Sequence, residues 1–132
     1  MSHVCRVKDV EITNLDVLRA AVKRLGFELL EGEQLKIKYW GGLSKEAFSL
    51  VITVPGCQWQ IGVREECCNI RGTRYTLWAD TYGSEGAKLQ EAINRLKQAY
   101  VVEAVKREAR RRGYSVVENA QGDGTIVLKI QV

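Results

Sequence analysis

Residues 75 to 86 read Tyr-Thr-Leu-Trp-Ala-Asp-Thr-Tyr-Gly-Ser-Glu-Gly, and this stretch decides the fold. The alternation of its first five residues is typical of a strand with one buried face. An acidic residue, an aromatic residue and two glycines follow, and a long helical pattern begins directly after them. The first N–H groups of a helix have no partner inside it, so such a corner is a frequent place for binding or chemistry.

The pattern after this corner predicts a long helix that begins near Ser84 to Ala87 and ends near Arg112, where Gly113 stops it. Its apolar stripe is formed by Leu89, Ala92, Ile93, Leu96, Tyr100, Ala104 and Val105. A shorter helix is predicted earlier, from Leu15 to Leu25. Asn14 has the right side chain for its N-cap, and Gly26 suits the left-handed residue that ends a helix.

The remaining apolar segments are short and rich in strand-forming residues. They run from Val4 to Ile12, Phe27 to Leu30, Leu35 to Trp40, Phe48 to Val54, Trp59 to Val63 and Val127 to Ile130. Pro55-Gly56 suits the centre of a turn between two of them. Because strands follow one another directly, we predict a single domain over residues 1–132 of the α+β class. It should contain one largely antiparallel sheet of about six to eight strands, with two helices packed against it.

One local pattern occurs twice. Residues 25–31 and 112–118 both contain a helix end, a glycine, an aromatic residue and a short strand. This is either a common helix-to-strand device used twice or a duplicated α-β-β unit. The first interpretation is favoured, because the gaps between the matching segments differ.

The charge of the chain is concentrated in one segment. The net charge is +4, and residues 106–112 alone carry five positive charges and one negative charge. The five basic residues are Lys106, Arg107, Arg110, Arg111 and Arg112. They are candidates for nucleic-acid binding, with Lys36, Lys38 and Trp40 as further contributors. The alternative is that these cations complement a helix C-terminus and are solvated.

Few residues in the chain suggest catalysis or metal binding. His3 is the only histidine, and the four cysteines form no C-x-x-C pair, so we predict no metal and no cofactor. Asp80 and Glu85 could act as an acid/base pair or bind a cation; the alternative is that Asp80 caps a turn and Glu85 complements the helix N-terminus. Gly83 and Gly86 leave N–H groups near a helix start, but the segment is not a P-loop.

The aromatic residues indicate a different kind of site. Trp40 and Trp78 lie on the strand faces opposite their most apolar neighbours. If those faces are exposed, the aromatic rings mark a surface for a protein partner. If the sheet is covered on both sides, they belong to the core. No membrane-spanning run and no secretory signal is present, so we expect a cytoplasmic protein with reduced cysteines and no membrane association.

Several short blocks, taken together in order, resemble the hypothetical chloroplast reading frame thirty-five family of cyanobacteria, red-type plastids and other bacteria. The blocks are Met1-Ser2-His3, Leu25-Gly26-Phe27, Tyr39 with Gly41, Gln60-Ile61-Gly62, Tyr75 to Asp80 with Gly83 and Gly86, Gln98-Ala99-Tyr100, Gly113 to Val117 and Asp123 to Ile126. Family members typically have Phe, Asp and Trp in place of Val4, Gln60 and Tyr82.

The resemblance implies no established activity, because the family is uncharacterised. Its genes are described beside ATPases of the AAA type, which implies an accessory or adaptor role, and plastid members would work in the stroma. The family pattern marks His3, Asp80, Gly83, Gly86 and Tyr100 as positions of interest.

Three functions are therefore expected, in decreasing order. The first is a non-enzymatic adaptor module that engages a protein partner, and the second is nucleic-acid binding through residues 106–112. The third is a small-ligand or enzymatic site at the 78–86 corner, formed by Trp78, Asp80 and Tyr82. In that third case His3 would have to reach Asp80 or Tyr82 from a neighbouring strand.

Overall fold

The chain forms two helices and a set of antiparallel strands, which confirms the α+β class and the long C-terminal helix. The structure is a computed structural model and describes residues 4–7, 11–68 and 72–132. In these ranges the elements are β1 (Cys5–Arg6), α1 (Leu15–Leu25), β2 (Glu28–Leu35), β3 (Lys38–Tyr39), β4 (Gly42–Leu43), β5 (Phe48–Thr53), β6 (Gln60–Cys68), β7 (Gly72–Ala79), α2 (Gly83–Arg111), β8 (Ser115–Ala120) and β9 (Ile126–Gln131).

The strands divide into a main sheet and two small hairpins. The main sheet has five strands in the order β1-β7-β6-β5-β2, and every neighbouring pair is antiparallel. Strands β3 and β4 pair only with each other, and so do β8 and β9. The prediction of one sheet thus holds for β1, β2, β5, β6 and β7. The other four strands form two separate two-stranded sheets.

Two predicted strands differ from the observed ones for local reasons. Strand β2 extends past Leu30 to Leu35, and Gln34 then adopts a positive φ of 56° beside an irregularity in the pairing with β5. This interruption divides the predicted strand 35–40: Leu35 pairs with β5 as the end of β2, and Lys38–Tyr39 pair with β4. Among the described residues of the first predicted strand, Cys5–Arg6 pair with β7 and Ile12 forms an isolated bridge with Tyr75. Residues 8–10 of that predicted strand lie outside the described ranges.

Both ends of α1 follow the sequence signals. The Asn14 side chain accepts a hydrogen bond from the Val17 N–H at 3.2 Å, and Gly26 adopts a left-handed φ of 73°. The same ending closes α2, where Gly113 has a φ of 77° and the next N–H reaches back to the Ala109 carbonyl. However, the strand after Gly26 joins the main sheet, whereas the strand after Gly113 pairs with β9. A shared local helix ending accounts for the sequence repeat.

The main sheet is covered by the helices on one face and only partly covered on the other, where Leu30 and Arg64 are exposed. Both helices pack on one face, in a core that includes Leu18, Val22, Ile52, Ile61, Leu77, Leu89, Ile93 and Leu96. The opposite face carries a smaller cluster of Ile37, Phe48 and Val51, which the segment leading into the β3–β4 hairpin covers. Gly62 makes room for the Phe48 ring of this cluster, since a Cβ there would lie 2.6 Å from that ring.

An ion cluster attaches the β8–β9 hairpin to the helices. Arg24 of α1 donates two hydrogen bonds to the Glu118 carboxylate of β8, at 2.7 and 2.8 Å. Lys106 of α2 approaches the same carboxylate at 2.9 Å, and Glu103 lies 3.5 Å from Arg24. The hydrogen bond from Arg24, followed by the one from Lys106, lowers the pKa of Glu118 from 4.5 to about 2.

This cluster predicts a pH dependence of stability. A lowered pKa in the folded state contributes stability that is present above pH 4.5 and is lost as the pH falls toward about 2. Because the carboxylate is partly solvated, we expect a contribution on the order of 1 kcal/mol. The free energy of unfolding of the wild type and of Glu118→Gln should be measured by urea denaturation across this interval. The difference should shrink with decreasing pH, and parallel curves would contradict the assignment.

Candidate functional site

The corner after β7 is organised around a buried carboxylate. The side chain of Asp80 is 1 % exposed. One of its oxygens accepts a hydrogen bond from the backbone N–H of Tyr82 at 3.1 Å, which forms a turn into α2. The other oxygen accepts from the backbone N–H of Trp40, at 3.4 Å, in the β3–β4 hairpin. Asp80 thus holds two segments that are distant in the sequence against each other.

A second contact fixes the same hairpin to the main sheet. The side-chain oxygen of Gln60, on β6, accepts from the Lys38 N–H at 3.0 Å, and its amide nitrogen donates to the Thr53 hydroxyl at 3.0 Å. The pairing of the hairpin itself continues past β3 and β4, since the buried Ser44 hydroxyl accepts from the Ile37 N–H at 3.1 Å. The β3–β4 hairpin is therefore attached to the rest of the fold by hydrogen bonds at Lys38 and Trp40.

Three large apolar side chains project from this fixed region. Trp40 lies in the tight turn of the hairpin, because Tyr39 pairs with Gly42, and its side chain is 66 % exposed. Leu43 on β4 and Tyr82 before α2 are each 64 % exposed. We call Trp40, Leu43 and Tyr82 the aromatic corner. Its backbone is ordered by hydrogen bonds, while its side chains lie in solvent.

Trp78 is part of the covered sheet face. Its ring lies 6.4 Å from the Phe48 ring between centroids, and its indole N–H donates to the Thr76 hydroxyl at 2.9 Å. The Arg64 guanidinium covers the ring at 5.8 Å. These contacts make Trp78 a packing residue beneath the hairpin, so of the two tryptophans considered as a partner surface only Trp40 is displayed.

The two glycines of the corner have structural roles. A Cβ on Gly86 would lie 2.2 Å from the carbonyl carbon of Thr81, so this residue permits the turn to pack directly on the helix. The Gly86 N–H bonds to the Tyr82 carbonyl at 3.2 Å. Gly83 adopts a φ of 76°, which a residue with a side chain rarely adopts. These features describe a tight strand-to-helix turn, with the N–H of Gly86 already used.

The two carboxylates of the corner have separate partners. Glu85 pairs with Lys88 at 3.5 Å, one turn along α2. It also lies near Cys57, whose thiol pKa is raised by burial and by the Glu85 charge. A raised thiol pKa disfavours the reactive thiolate. Asp80 bonds instead toward the β3–β4 hairpin, so the contacts support a turn cap and a helix-terminus charge more than an acid/base pair.

Tyr100 lies away from the corner. Its hydroxyl accepts hydrogen bonds from the backbone N–H groups of Thr13 and Asn14, both at 3.2 Å, and so fixes the entry to α1. At about 1.5 Å per residue, it lies about 21 Å along α2 from Gly86. The structure therefore does not bring Tyr100 together with Asp80 and Tyr82, and His3 lies outside the described residues.

The basic segment is largely paired within the molecule. Lys106 contacts Glu118, Arg107 contacts Asn14 and Asp16, and both Arg111 and Arg112 reach one oxygen of Glu108 at 3.0 Å. These last two hydrogen bonds lower the pKa of Glu108. Arg110 lines a groove of about 540 Å³ between α1 and α2, and the acidic residues Asp16 and Glu103 line the same groove. The surface is of mixed charge.

The two predicted halves of a nucleic-acid surface are also far apart. The segment 106–112 lies near the end of α2, whereas Trp40 lies beside Tyr82 at its start. The helical rise places Lys106, the nearest residue of this segment, about 35 Å along the helix from Gly83, and the other four basic residues farther away. Lys36, Lys38 and Trp40 thus cannot extend the basic segment into one continuous footprint.

Sequence reasoning missed Leu43 and the role of the hairpin. The predicted strand 35–40 ended at Trp40, which lies in the turn itself, but nothing local indicated that this turn would lie beside Asp80. The contact between Trp40 and Asp80 spans 40 residues and depends on tertiary packing.

Comparisons of the chain with protein-family models, with curated proteins and with solved structures found no match. The resemblance to the chloroplast reading frame thirty-five family therefore stays a prediction. The described side chains include no group of three or more His, Cys, Asp or Glu able to hold a metal ion. Neither helix in the described ranges is long and apolar enough to cross a membrane.

The structural role of Gly86 is testable. Gly86→Ala should lower the free energy of unfolding by about 2–3 kcal/mol, because the new methyl group must displace the Thr81 backbone. Gly122→Ala is the matched control: a Cβ there meets nothing within 4 Å, and its φ is not positive. Urea denaturation of both variants measures the effect. Equal stability of the two variants would show that the turn does not pack as described.

Proposed function

We propose that this protein is a non-catalytic binding module that engages a protein partner through the aromatic corner. One observation carries the proposal: the buried Asp80 carboxylate binds the backbone N–H groups of both Trp40 and Tyr82, while these two residues remain 66 % and 64 % exposed. Aromatic side chains of this kind are enriched where proteins bind each other. Neither ring is needed to fill the core.

The fixed backbone favours binding for an energetic reason. Ordering a loop when a partner binds costs conformational entropy, and a surface ordered beforehand avoids most of that cost. Here the hairpin is already held by Asp80 and Gln60. Trp and Tyr also offer a large contact area for few rotatable bonds. The aromatic corner can thus serve as a rigid anchor for a pocket on the partner.

The surrounding charge indicates the chemistry of the partner surface. The segment that forms the hairpin carries Lys36, Lys38 and Lys45 against a single acidic residue, Glu46. The Lys36 ammonium donates to the Lys45 backbone carbonyl at 2.7 Å, so this cation lies at the base of the hairpin. A partner with an apolar pocket and an acidic rim would be complementary. The family resemblance suggests an AAA-type ATPase as the specific partner, with the complex in the cytoplasm or plastid stroma.

Single-stranded nucleic acid is the alternative ligand of the same surface, since exposed rings beside lysines also suit base stacking and phosphate contact. It is less favoured, because the five basic residues of segment 106–112 lie at the other end of α2 and mostly face carboxylates. An enzymatic site at the corner is the third proposal. In that case, a residue other than Asp80 and Tyr82 would have to supply the catalytic group.

The proposal predicts selective loss of partner binding. Trp40→Ala should weaken the affinity for a purified AAA-type ATPase from the same organism by at least about tenfold, as expected for a central aromatic anchor. Leu43→Ala should weaken it as well. Leu30→Ala is the matched control, because Leu30 is similarly exposed, at 59 %, but lies on β2. Isothermal titration calorimetry gives the affinities, and circular dichroism verifies folding.

Two results would contradict the proposal. One is unchanged affinity in Trp40→Ala and Leu43→Ala. The other is an absence of ATPase binding together with salt-dependent binding of single-stranded RNA that Trp40→Ala abolishes, which would assign the surface to nucleic acid.

A further inference from the structure

The β8–β9 hairpin forms a sheet of only two strands. Its six residue pairs run without interruption from Ser115 opposite Gln131 to Ala120 opposite Ile126. A two-stranded sheet is marginally stable in water unless something covers it. The C-terminal half of α2 covers one face, where Ile130 lies in a shallow groove with Val105, Ala109 and Tyr114. The edges of the hairpin have no strand beside them in the described chain.

The edges of the main sheet are protected, whereas the β9 edge is not. Proteins protect edge strands by making them short or charged, or by interrupting them with irregular pairing. Strand β1 has two residues, and β2 carries three glutamates and a break in its register. Strand β9 and the next residue read Ile-Val-Leu-Lys-Ile-Gln-Val, with one charge and no proline. Its Val127 and Ile130 are 45 % and 48 % exposed.

We propose that β9 pairs antiparallel with β9 of a second copy of this chain, so that two hairpins form one four-stranded sheet. The strand order would be β8, β9, the second copy's β9 and the second copy's β8. Such a contact is symmetric, since the same surface is used by both copies. It provides partners for the free N–H and C=O groups of both β9 edges.

The sequence of β9 selects one register for this pairing. A two-fold axis at Leu128 places Leu128 opposite its own copy, Ile126 opposite Ile130, and Val127 opposite Lys129. The apolar row that faces α2 is then continuous across the two copies, and no like charges meet. A two-fold axis at Lys129 would instead place two ammonium groups opposite each other, which is destabilising. Charge and apolar pattern thus agree on the register centred at Leu128.

The β8 edge is less suited to the same contact. Its Glu118 is surrounded by Arg24 and Lys106. Self-pairing through β8 would bring two such ion clusters close together, with four cations around two carboxylates. The β9 edge carries only Lys129.

The register gives a charge-reversal test. Wild-type protein of 14.9 kDa should show a concentration-dependent shift to twice that mass in sedimentation equilibrium, between low micromolar and millimolar concentration. Val127→Lys places a lysine opposite Lys129 twice per dimer and should weaken dimerisation by about tenfold. Val127→Glu should strengthen it, and this gain should disappear at high salt. Adding Lys129→Glu to Val127→Lys should restore the dimer.

Val101→Lys is the matched control, because Val101 is an exposed valine on α2, and it should leave the dimer unchanged. Circular dichroism on each variant separates loss of pairing from loss of folding, and Val127→Glu keeps the test decisive if Val127→Lys fails to fold. A wild type that stays monomeric at all concentrations would overturn the proposal. So would a dimer that responds equally to Val127→Lys and Val127→Glu, or one that responds to Val101→Lys.

Discussion

The hydrogen bonds of the Asp80 carboxylate are the interaction on which the candidate surface depends. A carboxylate removed from water is costly unless polar groups replace its hydration. The backbone N–H groups of Trp40 and Tyr82 are among those replacements. Charge-assisted hydrogen bonds of this kind are stronger than neutral ones. The need to satisfy one buried charge therefore joins the β3–β4 hairpin to the start of α2.

This constraint explains why the same short segment contains both buried and exposed groups. Asp80 points under the hairpin, Trp78 packs against Phe48, and Gly86 lets the turn approach the helix closely. Tyr82 is the large apolar residue that this stretch exposes, and the hairpin brings Trp40 beside it. The 78–86 corner, which sequence patterns indicated as a place for chemistry, thus mainly connects the β3–β4 hairpin to the start of α2. Its contribution to the candidate surface is to hold Trp40 and Tyr82 in exposed positions.

Local signals in the sequence predicted the elements that have local causes. Asn14, Gly26 and Gly113 set helix ends within a residue or two, because caps act through neighbouring backbone groups. The meander from β5 to β7 followed from alternation and from Pro55-Gly56. The positive φ at Gln34 and the separate hairpins were not predictable in this way. Both features depend on which strands pair in the tertiary structure. The position of Trp40 beside Asp80 depends on tertiary packing in the same way.

The molecule presents two distinct surfaces at opposite ends of α2. The aromatic corner lies at the start of this helix, and the free β9 edge lies beside its end. Because about 35 Å of helix separates them, one copy can use both at once. A dimer formed through β9 would then present two aromatic corners, and two linked sites bind a multivalent partner more tightly than one.

The central claim is that Asp80 orders the aromatic corner, and amide hydrogen exchange tests it directly. In the wild type, the amides of Trp40 and Tyr82 should exchange slowly, although their side chains are exposed. In Asp80→Ala both amides should lose at least about tenfold in protection, which corresponds to the loss of one hydrogen bond to a charged group. The amide of Val63, in the middle of the main sheet, should change much less. Protection at Trp40 that falls no more than that at Val63 would contradict the account.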